Sequence, residues 1–192
     1  MRLVLVGPPG SGKGTQGPVI AERLGVPYLS TGDVLRAQVA ADTDLGGRVS
    51  ALIDRGELVP DDLMLAVVAA ALGGHATEDG YVLDGFPRTL PQALATERES
   101  SPLTAPDVAV HIALPDDVVY ERLERRALEA GRADDADRSV IERRLRVYTE
   151  ETEPLLDHYR QRGILVTVDG DRPPDEVAAA ILAALATEPN AG

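Results

Sequence analysis

The sequence predicts an α/β fold, doubly wound around a five-stranded parallel sheet with helices on both faces. Three observations predict it. Short apolar runs alternate with amphipathic stretches of helical length. The first run, Leu3 to Val6, is apolar without alternation, as a strand buried on both faces requires. A glycine-rich segment then leads from that run straight into a helical stretch, a connection that parallel folds use for ligand binding.

The elements follow in order. Arg2 to Val6 reads as the first strand and Lys13 to Leu24 as the first helix, stopped by Gly25. Pro27 to Leu29 is a short second strand. Thr31 to Ala41 and Leu45 to Asp54 read as helices, the second closed by Gly56. Asp61 to Leu72 is an apolar-rich helix with acidic residues in its first turn, where they suit the helix dipole. Tyr81 to Leu83 is a third strand, leading into Asp84 and Gly85, and Leu90 to Arg98 is helical. Asp107 to Leu114 is the fourth strand. Asp116 to Glu129 and Val140 to Arg162 are helices, the latter interrupted near Pro154. Ile164 to Val168 is the fifth strand, and Asp175 to Ala186 the closing helix.

The chain has 192 residues, within reach of one domain. With five Tyr, one Phe and no Trp, its core must rest on Leu, Val, Ile and Ala. Net charge is −13, a field that repels nucleic acids and anionic membranes. Any anionic ligand must therefore be held by a local cluster of cations. Without cysteine, disulfides, thiolate metal sites and cysteine nucleophiles are excluded. No apolar run approaches membrane-spanning length, and the N-terminus reads as a strand rather than a signal peptide. His75, His111 and His158 are scattered and suggest neither a metal cluster nor a catalytic histidine.

Chemistry concentrates in Gly7-Pro8-Pro9-Gly10-Ser11-Gly12-Lys13-Gly14-Thr15-Gln16, which fits G-x-x-x-x-G-K between a strand and a helix. Its glycines let backbone N–H groups turn towards phosphate oxygens, and the helix start adds its positive end. Of 19 Lys plus Arg, 18 are Arg; Lys13 is the only lysine. A compact ammonium on a flexible stem reaches between phosphates where a planar guanidinium fits poorly. The general motif places Ser or Thr directly after the lysine as a magnesium ligand. Gly14 stands there instead, and Thr15 follows. A direct threonine–magnesium bond is thereby put in doubt.

This GKGTQ variant resembles the nucleoside monophosphate kinases, and adenylate kinases most closely. The resemblance continues through Ser30-Thr31-Gly32-Asp33-Val34-Leu35-Arg36, Gly56-Glu57-Leu58-Val59-Pro60, Asp84-Gly85-Phe86-Pro87-Arg88-Thr89 with Gln92, Gly131-Arg132-Ala133-Asp134-Asp135, and Val168-Asp169-Gly170. Five ordered motifs cover nearly the whole chain. The resemblance implies a P-loop kinase fold with a core (1–29, 61–121, 139–192), an acceptor-binding insert (30–60) and a short lid (122–138) that needs no zinc. It implies reversible phosphoryl transfer from Mg²⁺-bound ATP to AMP, giving two ADP.

The implied donor site comprises Gly10, Ser11, Gly12, Lys13, Gly14, Thr15, Arg122, Arg126, Asp171 and Arg172. The implied acceptor site comprises Thr31, Arg36, Glu57, Val59, Gly85, Arg88, Gln92, Arg132 and Arg144. Lys13, Arg88, Arg122, Arg132 and Arg144 would be catalytic, and Asp84 would hold Mg²⁺ through water. Guanidinium forks suit the acceptor phosphate because they match its oxygens two at a time. Periodicity contributes independently. Arg122 and Arg126 share one helix face, and Arg144 borders the apolar stripe of Ile141, Leu145 and Tyr148 while Arg143 points away. Arg125, Arg138, Arg143 and Arg146 read as surface or ion-pair residues.

Gly17-Pro18 departs from the helix formers usual in the family, and Pro18 should kink the first helix slightly. Thr31 and Gln92 follow the AMP-accepting pattern. The alternatives are a UMP/CMP kinase of the same family and a nucleotide-binding module without turnover. A nucleic-acid-stimulated ATPase is disfavoured by the charge. A cytoplasmic monomer is expected.

Overall fold

Five parallel strands run in the order β2-β3-β1-β4-β5 in a computed structural model that describes residues 1–73, 80–98, 105–130 and 137–187. They are β1 (Arg2–Val6), β2 (Tyr28–Ser30), β3 (Tyr81–Asp84), β4 (Val108–Ala113) and β5 (Leu165–Asp169). The helices are α1 (Lys13–Leu24), α2 (Thr31–Ala40), α3 (Asp44–Asp54), α4 (Asp61–Leu72), α5 (Leu90–Thr96), α6 (Asp116–Ala130), α7 (Arg138–Val147), α8 (Glu153–Gln161) and α9 (Pro174–Thr187). A π-helical turn, Tyr148–Thr152, joins α7 to α8.

The unalternating apolar run of β1 is explained by two cores. Leu3 and Leu5 pack with Ile20 of α1 and with Val177 and Ile181 of α9. Val4 and Val6 point the other way, into a cluster with Val68 and Leu72 of α4 and with Leu155 and Tyr159 of α8. This second cluster is continuous with Leu35, Val49 and Val59 of the segment 30–60. A smaller core, Val119, Leu123 and Ile141, joins α6 to α7. There the stripe read from α7 is buried as periodicity requires.

Chain direction sets the site. From β1 the chain crosses to β2 on one side and later reaches β4 on the other, so the connections diverge at β1. Ligands in such sheets bind beyond the carboxyl ends at that divergence. Register brings Asp84 beside Leu5 and Asp169 beside Ala113, so the loops that follow share one edge.

Local chemistry fixes the helix starts on that edge. Ser30 Oγ accepts the Asp33 N–H at 3.2 Å to begin α2, and Thr89 Oγ1 accepts the Gln92 N–H at 3.2 Å to begin α5. The expected helix from Val140 to Arg162 is interrupted near Pro154, at the π-helical turn that precedes it. Proline lacks an N–H and its ring crowds the carbonyl four residues back. The wider turn at 148–152 takes up that crowding, and Pro154 sits in the first turn of α8, where its missing donor costs nothing.

Several boundaries shift by one or two residues: β2 and β5 each begin one residue later than expected, and α5 ends at Thr96. Helix α1 runs unbroken through Pro18. Gly17 has a packing reason that periodicity could not reveal, because the Tyr28 ring lies across it. A Cβ on Gly17 would stand 2.1 Å from Tyr28 Cε2.

Gly17→Ala tests this packing. Alanine gains about 1 kcal/mol of helix propensity, whereas overpacking costs about 1–3 kcal/mol. The Tyr28 ring cannot swing away freely, because its hydroxyl donates to Asp84 Oδ2 at 3.3 Å. The clash should win, lowering stability by about 1 kcal/mol in urea unfolding. Increased stability would show that the ring is not fixed.

Candidate active site

Lys13 begins α1 directly after Gly12, whose φ of 94° lies in the left-handed region. A side chain there would be strained. The turn folds the loop so that the Lys13 ammonium donates to the carbonyls of Gly7 at 2.7 Å and Pro8 at 2.9 Å, and to Ser11 Oγ at 3.2 Å. Burial pushes the Lys13 pKa down to about 8, partly offset by Asp84 and reinforced by Arg88, Arg144 and Arg126. The cation is thus held on its own loop amid like charges.

A cavity of about 720 Å³ opens over this loop. Gly10, Ser11, Gly12, Lys13, Gly14 and Thr15 line it. So do Thr31, Arg36, Glu57, Val59, Gly85, Arg88 and Gln92. Asp84, at the end of β3, touches both groups: its carbonyl accepts the Thr31 hydroxyl at 3.2 Å, and its Oδ2 lies 3.8 Å from where a Cβ on Gly14 would stand. Arg122, Arg126, Arg144 and Arg172 also line the cavity. Arg143 does not line the cavity and instead donates to Glu57 Oε1 at 2.8 Å. Arg125 does line it, against its reading as a surface residue. It stands next to Arg126 on α6.

Several of these cations are braced. Arg122 Nη2 donates to the Gly170 carbonyl at 2.9 Å and pairs at 3.4 Å with Asp171, whose side chain is a brace rather than part of the cavity wall. Arg172 donates to Asp169 at 3.0 Å, and Arg36 pairs with Asp33. Arg88 is half-buried; burial, then the nearby Arg144 charge, lowers its pKa to about 10. Arg132 lies outside the described residues, as does His75.

Two acceptor-side residues are already engaged. The Glu57 carboxylate accepts from Arg55 Nε at 3.0 Å and Nη2 at 2.9 Å besides Arg143, leaving its backbone as the group it can offer a ligand. Gln92 is 2% exposed. Its Oε1 accepts the Arg88 N–H at 2.7 Å, and its Nε2 donates to Asp61 at 2.7 Å. Each of these atoms keeps one further hydrogen-bonding position, a lone pair on Oε1 and an N–H on Nε2, for a base.

Sequence reasoning left out Tyr148, Thr152, Gln16 and Pro174, all on the cavity wall. Only the four-residue spacing of Tyr148 from Arg144 could have pointed to one of them, Tyr148. His111 supports the wall from beneath: its Nε2 lies 3.2 Å from the Tyr148 hydroxyl. Burial, with the Lys13 charge, lowers its pKa. His158 contacts Glu97, away from the cavity. Among the described residues no group of three or more His, Cys, Asp or Glu could hold a metal. Asp84 as the carboxylate that touches both groups fits Mg²⁺, which keeps most of its water and takes phosphate oxygens as ligands. No helix among these residues is long and apolar enough to cross a membrane.

A phosphate loop at the switch point of a parallel sheet, faced by converging arginines, defines a P-loop phosphotransferase. The family model described as adenylate kinase matches residues 5–164. An adenylate kinase of Synechococcus sp. (strain JA-2-3B'a(2-13)) is 47% identical, covering 92% of this chain and 91% of its own. One of Nocardia farcinica (strain IFM 10152) is 46% identical, covering 96% and 99%, and one of Stenotrophomonas maltophilia (strain R551-3) is 44% identical with the same coverage. The chain belongs to the adenylate kinase family, and is an ATP:AMP phosphotransferase.

The state of Lys13 predicts a proton linkage. Free Lys13 loses its proton near pH 8, and a bound triphosphate restores a higher pKa. Between about pH 8 and 10, ATP binding should therefore take up close to one proton, and affinity should fall up to roughly tenfold per pH unit. Calorimetry at pH 9 in two buffers of different ionisation heat reads the uptake. Lys13→Met should abolish it, and identical heats for the unaltered protein in both buffers would refute it.

Proposed function

We propose that this cavity holds both substrates of the transfer, ATP against Gly7 to Thr15 and the AMP phosphate against Arg36 and Arg88. One observation carries the reading: both groups of residues line a single cavity, and Asp84 touches both. An AMP phosphate oxygen attacks the γ-phosphorus while its bond to the β–γ bridging oxygen breaks, leaving two ADP. That phosphate is already anionic, so no general base is needed. In-line positioning and neutralisation of spreading charge remain for the protein to supply.

Lys13 leaves its loop carbonyls for the β- and γ-phosphates. Gly10 to Thr15 supply backbone N–H groups, and Arg122, Arg126 and Arg172 approach the donor. Arg88, Arg132 and Arg144 meet the attacking AMP phosphate. Asp84 would hold Mg²⁺ through water, and the ion when bound neutralises charge on the donor phosphates. Gly14 suits that arrangement: a Cβ there would stand 3.8 Å from Asp84 Oδ2, so a larger side chain would crowd the ion's water. Thr31, Val59 and Gln92 line the acceptor-base side.

Water is the competing acceptor. Closure of segment 30–60 and of the short lid 122–138 over the substrates would exclude it. By family resemblance we infer a cytoplasmic enzyme acting as a monomer.

An acceptor panel with Mg·ATP tests the reading. ADP formation should be faster with AMP than with CMP or UMP; an equal rate with a pyrimidine monophosphate would overturn the acceptor assignment. Without AMP, ATP hydrolysis should be far slower, and comparable hydrolysis would remove the kinase reading of the site. Arg88→Ala should lower kcat/KM by on the order of 10²–10³. Lys13→Ala retaining near-normal activity would contradict the role given to Lys13.

A further inference from the structure

Arg88 and Arg144 both line the cavity, and their charges repel. Before a phosphate arrives, something must hold Arg88 in place without using its guanidinium donors. Its main chain is gripped on both sides. The Arg88 N–H donates to Gln92 Oε1 at 2.7 Å, and the Arg88 carbonyl accepts from Thr152 Oγ1 at 2.8 Å. Thr152 is 4% exposed, so this hydrogen bond is screened from water.

The π-helical turn explains how Thr152 arrives there. Arg144, Tyr148 and Thr152 stand four residues apart and all reach the cavity wall. In an unbroken α-helix, at 3.6 residues per turn, eight residues drift by about 80° around the axis. Thr152 would then turn away from the line of Arg144. The wider turn at Tyr148–Thr152 takes back part of that drift.

We propose that Thr152 is a positioning residue for the acceptor clamp. Its hydroxyl fixes Arg88 through the main chain, so that one helical run carries Arg144 directly and anchors Arg88. The proposal rests on the reading of Arg88 as a ligand of the acceptor phosphate.

Thr152→Val and Thr152→Ala remove the hydroxyl; Thr152→Ser keeps it. In steady-state kinetics, Val and Ala should each raise the KM for AMP roughly tenfold, the worth of one hydrogen bond. The KM for ATP should stay within about twofold, and Ser should restore the AMP value. On an Arg88→Ala background, Thr152→Val should add little, because its effect passes through Arg88. An unchanged KM for AMP in Val or Ala, an equal rise for both substrates, a serine variant as impaired as alanine, or full additivity with Arg88→Ala would each overturn the proposal. If Val does not fold, Ala and Ser decide. Failure of the unaltered protein to phosphorylate AMP would instead defeat the site reading, so the two failures are distinguishable.

Discussion

Mutual repulsion among cations governs this site. A chain of net charge −13 gathers Lys13, Arg36, Arg88, Arg122, Arg126, Arg144 and Arg172 around one cavity. Each gains from a phosphate and loses from its neighbours while none is bound. The fold answers with braces that a ligand can replace. Lys13 folds onto loop carbonyls, Arg122 onto Gly170, and Arg36 onto Asp33. Carbonyls and exposed carboxylates release a cation readily, because their hydrogen bonds are modest in net worth. Arg88 is held differently, through its backbone, so its guanidinium can engage a phosphate without first surrendering that anchor.

The acceptor-side segment joins this scheme through two contacts of different kinds. Leu35, Val49 and Val59 continue the core that includes Val4 and Val6 of β1, while Glu57 meets Arg143 of α7. Burying those apolar residues resists separation of the segment, whereas an exposed ion pair contributes little and is screened by salt. The segment is therefore held mainly by apolar packing, and the Glu57–Arg143 pair adds little to it.

Fold class was legible because two periodicities coincide with physical need. The unalternating Leu3 to Val6 run must be covered on both faces, and the glycine-rich turn must follow a strand. The donor loop was legible for the same reason, since neighbours in sequence make it. Arg88 and Arg36 depended on resemblance, because nothing local says that residues fifty apart meet. Gly17 was misleading. Its cost is visible in the helix, but its benefit lies under the Tyr28 ring, which only tertiary structure supplies. Thr152 was illegible for a further reason. Its facing depends on a change of helical pitch, and α-periodicity assigns it to the wrong side.

The solitary lysine gathers these constraints at one atom. A guanidinium would keep its charge at any working pH and spread its donors over a plane wider than the loop. An ammonium can be satisfied by three acceptors on its own loop, and burial among arginines brings its pKa to about 8. At neutral pH it is therefore still charged, though held at a cost that a triphosphate relieves. Arginines around it deepen that cost in the empty site and share the anion in the filled one. Like charges that oppose one another without ligand thus make the site favour the most highly charged ligand that fits, which is a triphosphate facing a monophosphate.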